Sequence, residues 1–135
     1  EQAAFALPEP KVGLAALAGG LNRLPRQIGA KRALGMILTG RHVPAREGYE
    51  LGFVNEVVPH DQLMSAARRW AEQICECAPL SIRSIKQTVR RTAHLTAAEA
   101  RAQKLPALIA ALRSQDQDEG VAAFREKRQP QWQGR

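Results

Sequence analysis

Only two stretches of this chain read as extended, and the residues between and after them carry the spacing of helices. The first is Ala4 to Leu7, which Pro8 stops because proline fixes its own φ and offers no N–H to a ladder. The second is FVNEVV, residues 53–58, apolar enough to be at least half buried and therefore expected to form a strand. Two strands of this length cannot satisfy their backbone groups as a sheet by themselves. Further strands are expected elsewhere, so the chain reads as one continuous unit of a larger fold. Glu1 rather than Met stands first, which suggests a processed or truncated product.

Glycine and proline punctuate the helical remainder. LNRLPRQIG and AKRALGMILTG predict two short helices, or one broken near Pro25 and Gly29, with Leu34, Ile37 and Leu38 on one face and Gly40 as terminator. PAREGYELG predicts another, with Pro44 near its first turn and Gly52 at its end. Asp61 is expected to cap a helix through QLMSAARRWAEQICEC, whose Leu63, Ala67, Trp70 and Ile74 form a core-facing stripe. Pro79 restarts the chain, and Ile82, Ile85, Val89 and Ala93 make a second stripe opposite Arg83, Lys86 and Arg90. Thr96 and Glu99 have the spacing of a capping box, and Pro106 should bend or divide the helix that follows. Leu105, Leu108, Ile109 and Leu112 continue its apolar side, and a last helix starts near Ser114 or Asp116 and ends before Pro130.

Composition decides several exclusions. A length of 135 residues suits one domain, and with only 4% aromatics the core must be aliphatic, which favours helix packing. No apolar run is long enough to cross a membrane, and no signal-peptide pattern opens the chain, so it reads as soluble. Cys75 and Cys77 stand two apart on a helix and point in different directions. With His42, His60 and His94 they make no zinc ligand set, so no metal is expected, and reduced thiols suggest a cytoplasmic protein. The net charge is +7, and Ser81 to Lys104 holds six Lys or Arg against one acid, Glu99. A polyanionic partner would explain that excess, as would a solvated helix face. Stacking aromatics and recognition motifs are missing, so nucleic acid is not an expected partner.

One carboxylate stands apart from this inventory. Glu9 lies between Pro8 and Pro10, just before Gly13 and the Gly19-Gly20 pair. The prolines leave its side chain few directions, as a functional carboxylate requires. It could equally cap the helix behind the glycines, where a helix start attracts negative charge.

Five pieces in order, FALPEPKVGL, GGLNRLPRQIG, LTGRHVPAREGYELGFVNEVVP, SIRSIKQ and DEGVAAFREKRQPQWQGR, resemble the second half of the crotonase family, the enoyl-CoA hydratases and isomerases and their carnitinyl-CoA dehydratase-like relatives. The resemblance implies the α/β crotonase fold, a spiral of strand-strand-helix units, of which this is the helix-rich C-terminal half with two short strands. Residues 1–60 would end the spiral core, and residues 61–135 would form a helical trimerisation region. The first half, absent here, would supply most of the CoA surface, the oxyanion-hole amides and the first catalytic glutamate.

By the same resemblance Glu9 matches the second catalytic glutamate. Leu17 stands where hydratases often carry a smaller residue and would reshape the acyl pocket, unless it is ordinary core. Phe124 and Lys127 match residues that approach the adenine and phosphates of CoA, although Phe124 could simply anchor its helix. The implied activity is hydration or dehydration of a 2-enoyl-CoA, a lyase reaction, with isomerisation open. Coenzyme A enters only as part of the substrate, and no other cofactor is implied. The implied assembly of a full-length protein is a homo-oligomer, a trimer or dimer of trimers. A reading from another class treats the chain as a non-catalytic helical oligomerisation or interaction module.

Overall fold

The structure is a computed structural model that describes residues 1–135. The chain divides into two compact units, Glu1–Ala66 and Ala67–Arg135.

In the first unit, β1 (Ala4–Phe5) leads into a 3₁₀ turn at Glu9–Val12 and then α1 (Gly20–Ile28) and α2 (Ala30–Thr39). β2 (Val43–Pro44) and α3 (Ala45–Leu51) follow. The break between α1 and α2 falls at Gly29, with φ 82°, and Pro25 stays inside α1. Gly40 ends α2 in the left-handed region, its N–H donating to the Met36 carbonyl, a conformation that costs glycine nothing. α2 turns Ala33, Met36 and Ile37 inward, joined by Ile28 and Val43 and flanked by Leu7, Leu21, Leu24, Leu51 and Phe53. The expected face of Leu34, Ile37 and Leu38 is therefore rotated, with Leu34 and Leu38 exposed. α1 packs across Ala33 and Met36, and that side, rather than the leucine side, becomes the interior.

The two strands pair with each other. β1 and β2 run antiparallel with Ala4 opposite Pro44 and Phe5 opposite Val43, and the Ala45 N–H adds a bond to the Ala3 carbonyl at 2.9 Å. The expected second strand, FVNEVV, is not one. After Gly52 closes α3, the Phe53 and Val54 N–H groups turn back onto the Gly48 carbonyl at 3.1 and 3.2 Å, so neither is available to a neighbouring strand. Phe53 then stacks edge-on against Phe5, centroids 5.2 Å apart, and the Glu1 ammonium donates to the Val58 carbonyl at 2.9 Å. The segment docks through side chains and one terminal hydrogen bond instead of a ladder.

Asp61 does not cap a helix either; it sits in a 3₁₀ turn, His60–Gln62, and α4 (Leu63–Cys75) follows directly. α4 begins in the first unit and lies mostly in the second, which continues with α5 (Pro79–Thr92), α6 (Ala97–Ala102), α7 (Pro106–Leu112) and α8 (Gln115–Glu126). The capping box at Thr96 and Glu99 forms in both directions, and Pro106 divides α6 from α7 as a first-turn residue. Ser114 caps α8. The helical periods of α4 and α5 are real, but their expected core-facing stripes are not: α4 has no buried residue, and Ile85 and Val89 of α5 are exposed. α5 packs on α7, and its one buried residue is Ser84.

The C-terminal tail is fastened to α8 by a buried carboxylate. Asp116 is 1% exposed, and its two oxygens accept the backbone N–H groups of Gln133 at 2.6 Å and Gly134 at 2.9 Å. The Trp132 indole lies across Gly120 and donates to the Glu76 carbonyl at 2.7 Å.

A Cβ at Gly48 would stand 2.8 Å from Val54 Cγ2 and 2.9 Å from Phe53 Cζ. Gly48→Ala is accordingly expected to destabilise the chain by about 1–3 kcal/mol, read as a lower urea midpoint with unchanged slope. Asp116→Ala leaves two N–H groups unpaired and should expose the tail to proteolysis near Trp132 at concentrations of protease the parent chain resists.

Candidate active site

Glu9 opens the 3₁₀ turn that follows β1. Pro8 and Pro10 hold this turn, whose bonds run from the Lys11 N–H to the Pro8 carbonyl at 2.9 Å and from the Leu14 N–H to the Glu9 carbonyl at 2.9 Å. Gly13, at φ 75°, closes it. The turn rests on the end of α2: a Cβ on Gly40 would lie 3.2 Å from the Pro8 Cα and 3.2 Å from Lys11 Cε. Covalent restriction from the prolines and contact with Gly40 thus fix the backbone that carries the carboxylate.

The carboxylate is half-buried, and its Oε2 is shut off from solvent with no hydrogen-bond donor from the chain. A buried acceptor without a donor is costly, and such groups concentrate where a ligand or reacting group completes them. The capping alternative does not form: α1 begins after Gly19 without any side-chain cap.

Beside this turn runs an apolar cleft of about 290 Å³ between β1 and α1, with Phe5, Leu7, Leu24, Met36 and Phe53 in its walls. Its close sides depend on the glycine pair. Leu7 packs where a Gly20 Cβ would stand, at 2.9 Å, and the Arg23 guanidinium stem covers Gly19 at 3.2 Å. Arg23 brings a cation to the cleft that the sequence had not singled out. Glu9 does not line this cleft, and neither does Leu17, which stands 81% exposed on the loop before α1.

Phe124 and Lys127 belong to the second unit and stand together at the end of α8. Phe124 is 86% exposed, and Lys127 follows one residue past the helix. Next to them Arg128 grips Glu119 through two hydrogen bonds, 2.6 and 2.9 Å, and Glu126 through Nε at 2.5 Å. Glu119 also accepts the Gln131 N–H at 2.7 Å. The Arg128 bonds and the Gln131 N–H together pull the Glu119 carboxyl down to about 2. This network joins residues too far apart in sequence for helical spacing to reveal, and the sequence reading passed over it. Farther along the same unit, Arg83, Lys86, Gln87, Arg90 and Arg91 line a cleft of about 400 Å³ along α5. The chain has no group of three or more His, Cys, Asp or Glu side chains arranged to hold a metal ion.

Fold and sequence now place the chain. Residues 1–135 match the enoyl-CoA hydratase/isomerase family throughout, and the chain belongs to that family. Carnitinyl-CoA dehydratase from Salmonella agona is 40% identical over 139 residues, covering all of this chain and 53% of the relative. Among solved structures, enoyl-CoA hydratase from Mycobacterium tuberculosis superposes with a TM-score of 0.92 at 35% identity, over 99% of this chain and 53% of that one. Enoyl-CoA hydratase from Bacillus anthracis gives 0.92 at 34% identity, over 98% and 52%. The chain therefore has the fold of the helix-rich half of a crotonase, and it spans about half the length of the curated relatives it matches.

The Glu119 network has a definite acid limit. A carboxyl whose folded value lies below its ordinary 4.5 adds stability above that ordinary value, and the contribution disappears as pH falls through about 2. The parent chain should therefore outlast its Glu119→Gln variant in urea at pH 6, and the difference should shrink toward zero on titration to pH 2.

Proposed function

We propose that this chain carries one part of the active site of an enzyme that adds water to, or removes it from, a 2-enoyl-CoA thioester. Hydration places the water oxygen on the β-carbon and a proton on the α-carbon, while the thioester oxygen carries negative charge in between. Glu9 is the acid–base group that orients the water and passes a proton. The observation that carries this reading is the Glu9 Oε2, enclosed, held on a proline-braced turn and without a donor from its own chain. A reacting water or substrate proton is the partner that such an oxygen lacks. Backbone donors for the thioester oxygen and a second carboxylate would come from outside these residues, as the family resemblance implies, so the chain is expected to be inactive alone.

In the same reading Phe124 and Lys127 take the adenine and a phosphate of CoA. An exposed aromatic ring offers a stacking face, and an ammonium on a flexible stem meets phosphate as a point charge. Leu17, on the loop between the Glu9 turn and α1, borders the acyl end of the substrate. The working assembly is a trimer or dimer of trimers built on the second unit. The identity to carnitinyl-CoA dehydratases favours dehydration as the direction to test beside hydration.

A second reading rests on a separate observation. Val12, Leu14, Leu17 and Leu38 of the first unit are all at least two-thirds exposed, as expected of an interaction module whose apolar face awaits a partner. Sedimentation of the isolated chain judges it, since a compact monomer across micromolar concentrations would remove it.

The catalytic reading is tested by fusing the chain behind the segment of a carnitinyl-CoA dehydratase that it does not match. The fusion is expected to hydrate crotonyl-CoA, and Glu9→Gln should lower kcat by about 10²–10⁴ while KM changes little. Equal rates for the two proteins would take Glu9 out of the mechanism.

A further inference from the structure

Lys127 is the one residue other than glycine with a positive φ, at φ 53° and ψ 41°. It occupies the position just past α8 where the chain reverses: the Arg128 N–H donates to the Ala123 carbonyl at 3.0 Å, and the Lys127 N–H to the Phe124 carbonyl at 3.4 Å. This pair of bonds defines a helix end that ordinarily takes glycine, because a Cβ in this conformation crowds the following carbonyl. Other helices of the chain obey that rule, with Gly40 ending α2 and Gly52 ending α3. A lysine here works against local preference, and strained residues of this kind cluster where a side chain has a task.

What holds the turn closed is the next residue. Arg128 reaches back nine residues to Glu119 with a forked pair of bonds and also binds Glu126, while Glu119 takes the Gln131 N–H from the far side of the turn. Glu119 and Glu126 are both engaged by Arg128, so neither is the partner of a Lys127 ion pair. Phe124, three residues earlier and nearly fully exposed, completes a surface with an aromatic face and a cation.

The geometry assigns Glu119 and Arg128 the role of positioning residues that hold Lys127 in its left-handed conformation, so that Lys127 and Phe124 engage the phosphorylated adenosine of CoA as one preorganised unit. This rests on the reading of Phe124 and Lys127 given above and adds the device that makes it work. Arg is required at 128 because only a planar fork reaches both oxygens of Glu119 at once.

The test combines calorimetric titration of coenzyme A with thermal unfolding, on the fusion described above and four variants of it: Lys127→Gly, Glu119→Gln, Arg128→Lys and the double variant Lys127→Gly with Glu119→Gln. Lys127→Gly should raise Tm by about 2–6 °C yet weaken CoA binding roughly tenfold. Glu119→Gln and Arg128→Lys should each weaken binding about three- to tenfold, with Lys127 and Phe124 still present. In the Lys127→Gly background, Glu119→Gln should have no further effect on affinity, because the clamp acts through the lysine. Should Glu119→Gln fail to fold, Arg128→Lys makes the same comparison with charge retained. Affinity unchanged by either clamp variant, or an equal loss with and without Lys127, would overturn the assignment. A fusion that binds CoA as tightly with Lys127→Gly as without it would overturn the adenosine reading itself, and the clamp with it.

Discussion

The approach of the 8–11 turn to Gly40 is the contact on which the first unit is organised. A side chain at position 40 would press on the Pro8 backbone and the Lys11 stem, 3.2 Å away, and it would resist the left-handed turn that ends α2. With glycine there, α2 stops, the chain reverses into Val43, and Val43 pairs with Phe5 of the strand that delivers Glu9. Glu9 is thus placed by backbone geometry on three sides: prolines next to it, a glycine beneath it and a two-rung ladder before it. Little of this relies on the carboxylate's own hydrogen bonds, which is why one of its oxygens can stay without a donor.

How much of this could be read in advance depended on whether the signal was local. Helix ends were legible because their chemistry is written within four residues: Thr96 with Glu99, Pro106 at a first turn, Gly40 and Gly52 at their stops. FVNEVV misled because a short apolar run describes side chains only, whereas the outcome was decided by the Gly48 carbonyl capturing two of its N–H groups. The stripes on α4 and α5 misled differently. Periodicity correctly gave helices, but it cannot say what lies opposite, and Trp70, Ile74, Ile85 and Val89 are exposed in this chain. At the candidate site, Glu9 was visible through its prolines. Arg23 over Gly19 and the Glu119–Arg128 pair were not, since each needs a folded neighbour before it means anything.

The two units solve the same problem by different physics. The first is held by aliphatic packing around Ala33, Met36 and Val43, with glycines permitting the close approaches. The second relies more on charged and polar ties, among them Asp116 to the tail and Arg128 to Glu119. A buried carboxylate that accepts two backbone N–H groups is highly directional, so it sets one register for the tail where apolar contacts would tolerate several.

The placement of the indoles has a practical side. Both tryptophans, Trp70 and Trp132, fall in Ala67–Arg135, and Trp132 is half-enclosed against Gly120 with its ring nitrogen on the Glu76 carbonyl. Their emission therefore works as an optical gauge of that unit, shifting when the tail lifts from α8. Followed beside circular dichroism, which sums helices from both units, it would show whether the tail leaves α8 before the helices melt.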